Sequence, residues 1–186
     1  MFTKKDIINL FDSILNGNLE KVKDLIENNS GLLNIYGTKP KKYQGKTPII
    51  TAIWAMKIKI VNYLIGKGAD INLHMNDEIK WPPIHFAVRN AMSPLPYHSK
   101  GKKVLTLLIK NGANINEMDS FGNNALDRAI HDYDIQYDCW DIIEMLIQEG
   151  AGINRKSPSN GLSPKEIVKI NRHLYSDSIL KLFKLL

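Results

Sequence analysis

The side chains of this chain that could do chemistry are few and scattered. Histidines stand at His74, His85, His98, His131 and His173, and the single cysteine is Cys139. A zinc site takes closely spaced pairs of Cys or His. No His here pairs with a second His or with Cys139 at such a spacing. Cys139 could act as a nucleophile, but a lone Cys beside Trp140 in an apolar stretch reads as a small core residue. "DYDIQYD" brings Asp132, Asp134 and Asp138 together. A calcium loop also needs a Gly at its sharp turn and a closing Glu. Both are missing, so the segment reads as a solvated acidic loop. No Gly-rich phosphate loop of the usual spacing occurs. The expectation is a non-enzyme with no catalytic residue, no metal and no cofactor.

The elements that must position any site announce themselves by repetition. "GADIN" at 68–72 returns as "GANIN" at 112–116 and "GAGIN" at 150–154. Each follows a segment with apolar residues at helical spacing. Four residues before each Gly stand Leu64, Leu108 and Leu146, and seven before stand Val61, Leu105 and Ile143. That spacing places both on one helical face. Gly68, Gly112 and Gly150 then fall where a helix ends in a residue of positive φ. The closing Asn72, Asn116 and Asn154 are expected to hold the following turn through bonds to nearby backbone.

Helix starts are marked as clearly. Thr47-Pro48 supplies an N-cap with Pro at the first helical position, and Ser163-Pro164 with Glu166 makes a capping box. Pro82-Pro83 and Asn124 open two further helices. Together these signals describe a unit of turn, short helix, second helix and Gly turn.

That unit resembles the ankyrin repeat, whose recurring length and Thr-Pro opening are its recognised signature. "GKTPIITAIWAMKIKIVNYLIGKGADIN" (45–72) fits the family pattern without a gap. "PPIHFA" keeps the His of the opening as His85, and "DSFGNNALDRA" keeps Asp119 and Gly122 of the hairpin tip. The resemblance implies an all-α solenoid of about five ankyrin-like helix-turn-helix repeats with connecting β-hairpin loops and degenerate terminal repeats. The chain is expected to be one domain over 1–186, with units over approximately 1–36, 43–74, 78–117, 119–155 and 159–186. It makes His85 a structural residue bonding backbone between neighbouring units. Two inserts depart from the pattern, at 90–103 and 131–139. The first, with two Pro and one Gly, is expected to be irregular, and the second to lengthen a helix.

The resemblance also implies a protein partner on a concave face built from hairpin tips and first helices. Carried onto this sequence, that face includes Tyr43, Gln44, Lys46, Trp54 and Lys67, then Ile79, Trp81, Arg89 and Asn90, then Phe121, Asn123, His131 and Asp132. Tyr43, Trp54, Trp81 and Phe121 are its aromatic anchors, although Trp54 and Trp81 could instead fill space between units. Asn72 is implied as an acceptor for asparaginyl hydroxylation.

Composition narrows the setting. The net charge of +6 permits an acidic partner, and Lys41, Lys42, Lys100, Lys102 and Lys103 form short basic clusters. They lack interleaved aromatics, so binding of nucleic acid or an anionic membrane surface ranks below binding of protein. The most apolar run, "TPIITAIWAMKIKIVNYLI", is broken by Lys57 and Lys59, and no transmembrane segment or secretory signal is expected. With one cysteine, a reduced cytoplasmic monomer is the expectation. The weight of Ile, Lys and Asn suggests an AT-rich genome, and with it a host-directed effector of an intracellular bacterium, parasite or virus, working in the host cytosol.

Overall fold

The computed structural model describes residues 2–38, 40–131, 139–158 and 160–186. Ten α-helices follow one another among the described residues: α1 (Lys4–Asn16), α2 (Leu19–Asn28), α3 (Pro48–Trp54), α4 (Ile58–Gly66), α5 (Pro83–Ala91), α6 (Tyr97–Lys110), α7 (Ala125–His131), α8 (Trp140–Gln148), α9 (Pro164–Ile170) and α10 (Asp177–Leu182). Odd-numbered helices stack on one another from α1 to α9 in one layer. The second layer stacks α2 on α4, α4 on α6, and α8 on α10, and α1 to α8 also pack as sequential pairs. This is the all-α solenoid expected from the sequence. The loop tips close through single backbone bonds such as Met75 N to Trp81 O (2.9 Å) and Asp119 N to Asn123 O (3.0 Å). They are too short for a ladder, and the described residues contain no strand.

The start signals act as read. Thr47 Oγ1 accepts from Ile50 N (3.3 Å), Asn124 Oδ1 accepts from Leu126 N and Asp127 N (3.0 Å each), and Ser163 and Glu166 form the reciprocal box. Val61, Leu64, Leu105, Leu108, Ile143 and Leu146 are all fully buried. Burying each such side chain contributes about 1.5–3 kcal/mol.

The repeated phrase now has a mechanism. Gly68, Gly112 and Gly150 adopt φ of +84°, +84° and +92°. The Ala after each donates to the Leu four residues before the Gly: Ala69 to Leu64 O (3.0 Å), Ala113 to Leu108 O (3.0 Å), Ala151 to Leu146 O (2.9 Å). With the Gly N–H bonding one residue further along, this is a Schellman closure. The third position turns the chain: Asp70 Oδ1 accepts from Asn72 N (2.9 Å) and Asn114 Oδ1 from Asn116 N (3.1 Å).

The closing Asn departs from the expectation of a bond to nearby backbone. Its amide oxygen reaches across to the next helix pair. Asn72 Oδ1 accepts from Asn114 N (2.9 Å), and Asn116 Oδ1 accepts from Gly152 N (2.9 Å). Asn34, outside any copy of the phrase, does the same for Asp70 N (2.9 Å). Each turn thus pins the one after it.

The insert at 90–103 is mostly helical. α5 runs to Ala91 and α6 starts at Tyr97, so Pro94 and Pro96 confine the irregular part to a few residues. Gly101 lies inside α6 because a Cβ there would land on the backbone of Asn90 and Ala91. The remainder of the insert at 131–139 falls largely on 132–138, outside the described residues. At the other end, α10 packs on α8 and buries Ile179, Leu180 and Phe183, leaving Leu186 exposed.

Gly101→Ala should therefore destabilise the fold by about 1–3 kcal/mol or more, because backbone cannot retreat as a side-chain tip can. Urea unfolding followed by circular dichroism measures it, and an unchanged midpoint contradicts the close approach of α5 and α6. Asn72→Ala should cost about 1 kcal/mol, whereas Asn154→Ala, which makes no cross-pair bond among the described residues, should be nearly neutral.

Candidate protein-binding surface

The tips and the odd-numbered helices share one side of the stack, and most of the expected contact residues are brought there. Trp54, the last residue of α3, is 43% exposed, and Lys46 Nζ lies 5.2 Å from its ring centroid. Phe121, at the tip before α7, is 56% exposed, the turn beneath it held by Asp119 Oδ1 accepting from Phe121 N (2.9 Å) and Asn123 N (3.0 Å). Arg89 and His131 are exposed, and Asn123 is half-buried with its Oδ1 accepting from Ser157 Oγ (2.7 Å). Asp132 lies outside the described residues.

Two expected members are placed elsewhere. Tyr43 is fully buried and stacks on Phe11 with ring centroids 4.8 Å apart. The tip at 40–46 folds onto the flank of α1 that carries Phe11, and Lys42 pairs with Asp12 (2.6 Å) beside the stack. Asn90 is also buried. Its Nδ2 donates to Ile53 O (2.7 Å), which ties α5 to the end of α3.

Trp81 stands between the two cases. It is half-buried and meets Phe86 edge-on at 5.2 Å and His85 at 6.3 Å. Arg89 and Arg128 approach its ring at 5.7 and 4.6 Å from the centroid. Its role is in good part to join the α5 pair to the α7 pair. Arg128 was not among the expected contact residues. Its position one helical turn before His131 places both on one face of α7, which the sequence could have shown.

His85 takes the structural role implied for it. The ring is fully buried and Nε2 lies 3.2 Å from Glu117 O, in the turn that leads from α6 to α7. Glu117 also pairs with His74 (2.9 Å) and accepts from Asn114 Nδ2 (2.6 Å), so the α4–α5 turn, helix α5 and the α6–α7 turn meet at one glutamate. Pro82 occupies the cap position before α5 and offers no side-chain hydrogen bond, and His85 Nδ1 is buried without a partner. Burial lowers the His85 pKa to about 4.

The described residues contain no group of three His, Cys, Asp or Glu arranged to hold a metal ion. Cys139 is buried, as a core residue should be, with Sγ 3.5 Å from His98 Nδ1. That nitrogen also lies 2.6 Å from Ala91 O, a carbonyl that can only accept, so Nδ1 carries its proton there and is no base toward the thiol. No helix among the described residues is long and apolar enough to cross a membrane.

A family profile described as Ankyrin repeat matches residues 44–76, the stretch holding α3, α4 and the Gly68 turn. The chain is an ankyrin repeat protein. It is 30% identical over 140 residues to alpha-latroinsectotoxin-Lt1a of Latrodectus tredecimguttatus, covering 74% of this chain and 9% of the toxin. It is 33% identical over 101 residues to an ankyrin repeat protein of Rickettsia bellii, covering 54% of this chain and 13% of that protein. It is 39% identical over 64 residues to ankyrin repeat protein FPV233 of Fowlpox virus, covering 34% and 12%. The chain thus spans only a small part of the length of these relatives. Ankyrin repeats generally mediate protein–protein interaction and are typically non-catalytic.

The His85 shift sets an acid sensitivity. In the folded protein the ring stays neutral down to about pH 4, whereas in the unfolded chain it takes a proton near the ordinary value of 6.5. The unfolded state binds the extra proton between these limits. Stability is therefore full above about pH 6.5 and drains as pH falls toward 4, by about 3 kcal/mol from this group. Urea midpoints measured across that range should fall for the native sequence. A flat profile there contradicts a neutral buried His85.

Proposed function

We propose that this ankyrin repeat protein is a non-catalytic scaffold, five repeats in one domain, that binds a partner protein on the side formed by its tips and odd-numbered helices. The observation that carries this reading is the pair of exposed aromatics, Trp54 and Phe121, set on that side among polar and cationic groups. Aromatics ringed by polar residues are the usual anchors of an interface, and each such anchor contributes about 2 kcal/mol or more. Lys46, Trp81, Arg89, Asn123 and His131 complete the surface. Tyr43 drops out because it is buried.

The proposed setting is the cytoplasm, as a monomer. A role as a host-directed effector is supported by the AT-rich composition and by relatives in a bacterium and a virus. Asn72 remains proposed as an acceptor for an asparaginyl hydroxylase. Its side chain is exposed, although its oxygen is engaged by Asn114 N.

A basic surface gives a second reading some support. Lys57, Lys59 and Lys100 line one pocket of about 360 Å³ beside Gly17. The clusters expected at Lys41 and Lys42 and at Lys100, Lys102 and Lys103 are partly neutralised, since Lys42 pairs with Asp12 and Lys102 with Asp141. If phosphates bound there, affinity for a generic oligonucleotide would fall steeply with salt.

The double variant Trp54→Ala and Phe121→Ala tests the first reading. Affinity purification from the source or host cell should lose the specifically captured protein with the variant, while the melting temperature stays close to that of the native sequence. Equal capture by both proteins rejects this surface.

A further inference from the structure

The end of the helices opposite the tips has a chemistry of its own. Tips join one pair to the next, so the connections inside pairs, such as α3–α4 and α5–α6, gather at the other end. There α6 reaches beyond its neighbours. α4 and α8 begin ten residues before Gly68 and Gly150, whereas α6 begins fifteen before Gly112. Five extra residues carry its start roughly 7 Å past theirs. On this protrusion stand Leu95, at 76% the most exposed large apolar side chain among the described residues, and Tyr97, 51% exposed.

Below the protrusion lies a row of lysines. Lys57, Lys59 and Lys100 line the pocket of about 360 Å³ beside Gly17. Lys103 has on α6 the place that Lys59 has on α4, nine residues before the closing Gly, and both are exposed. None of these four lysines pairs with a carboxylate among the described residues. The carboxylates flanking the row are engaged elsewhere. Glu20 on α2 pairs with Lys23 (2.9 Å), and Asp141, in the equivalent place on α8, pairs with Lys102. Asp24 and Glu144 stand at least three residues further along those helices. Asp132, Asp134 and Asp138 of the next connection lie outside the described residues.

We propose that this end of the stack docks on an anionic phospholipid bilayer, with Leu95 and Tyr97 entering its interface and Lys57, Lys59, Lys100 and Lys103 facing the headgroup phosphates. The proposal rests on the second, basic-surface reading and commits it to one target, and the protein-binding reading does not depend on it. The depths match. A headgroup layer is roughly 5–7 Å thick, about the height of the protrusion, so Leu95 reaches the acyl boundary while the lysines remain among phosphates. Tyr97 has an apolar ring and a polar hydroxyl, which suits that boundary. Lysine stems are long and flexible, so their charges reach headgroups without fixed geometry. A nucleic acid would also supply phosphates. It would leave Leu95 in water, however, and its bases need a succession of aromatic platforms where this surface has Tyr97 alone.

Sedimentation of the full chain with vesicles tests this, one set of phosphatidylcholine and one of phosphatidylcholine mixed with phosphatidylserine. The chain should sediment with the mixed vesicles only, and less as salt rises. The double variant Lys59→Glu, Lys103→Glu should weaken this by about tenfold or more, and Leu95→Ser should weaken it severalfold. All three positions are exposed, so circular dichroism should be unchanged. The Trp54→Ala, Phe121→Ala double variant should bind the vesicles as the native sequence does. Equal sedimentation with both vesicle sets, or undiminished binding by the Lys59→Glu, Lys103→Glu variant or by Leu95→Ser, overturns the proposal. Vesicle binding lost in the Trp54→Ala, Phe121→Ala variant places the contact on the concave side and also overturns it. Preference for a single-stranded oligonucleotide that the lysine variant abolishes ends the lipid assignment but leaves the basic-surface reading standing. Failure to bind either vesicles or oligonucleotide ends both.

Discussion

Each helix pair in this protein has an apolar flank that only another pair can cover. Leu64 and Val61 on α4, like Leu105 and Leu108 on α6, are fully buried only because neighbours stack against them. Hydrophobic contact is not directional, so it favours stacking without fixing register. The Gly-Ala-x-Ile-Asn turn supplies the register. Its Gly and Ala close one helix, its third residue turns the chain, and its Asn side chain fixes the next turn at 2.9 Å. The third residue can vary among Asp, Asn and Gly because its backbone N–H makes the cross-pair bond in every copy. The first and last residues vary less because one needs positive φ and the other a side-chain carbonyl. "GAGIN" retains the bond through Gly152 N while lacking the local turn bond that Asp70 and Asn114 provide.

The joints have unequal chemistry. Between the α3 and α5 pairs, Asn90 reaches into the end of α3 and makes a fully internal hydrogen bond. Between the α5 and α7 pairs, His85, His74 and Asn114 converge on Glu117. This second joint carries an imidazole that burial keeps neutral and whose other nitrogen has no partner. A buried polar atom without a bond costs about 1–3 kcal/mol, so the joint forms at some expense to stability. The same region brings Arg89 and part of the Trp81 ring to the outside, so this joint lies under part of the candidate surface.

Much of the fold was legible because its signals are local. Helix closure by Gly, capping by Thr47, Asn124 and Ser163, and the i, i+3 apolar pairs all depend on residues within one turn of each other. The exceptions depend on distant contacts. Gly101 reads as a breaker in sequence, yet it sits inside α6 because α5 passes too close for a Cβ. Asn34 has the same role as Asn72 without the phrase around it, since the bond needs only an amide in the right place. The candidate surface was less legible for the same reason. Whether an aromatic at a tip is exposed depends on what lies beneath it. Phe121 has only its own turn. The tip of Tyr43 lies over α1, and Phe11 draws the ring inward.

This dependence on neighbours bears on how a binding surface can arise on a stack. A side chain at a given repeat position has no fixed role: Tyr43 became core because its ring stacks on Phe11 of α1. Trp81 lies between, its edges against Phe86 and His85 and its ring against arginines. Changing a ring of this kind alters the joint and the surface together, so loss of binding on its removal would not distinguish contact from packing. Trp54 and Phe121 do not have this ambiguity to the same degree, because about half of each already faces solvent. Recognition on this face can be separated from stability only at such residues, and at exposed charges such as Arg89 whose removal leaves no cavity.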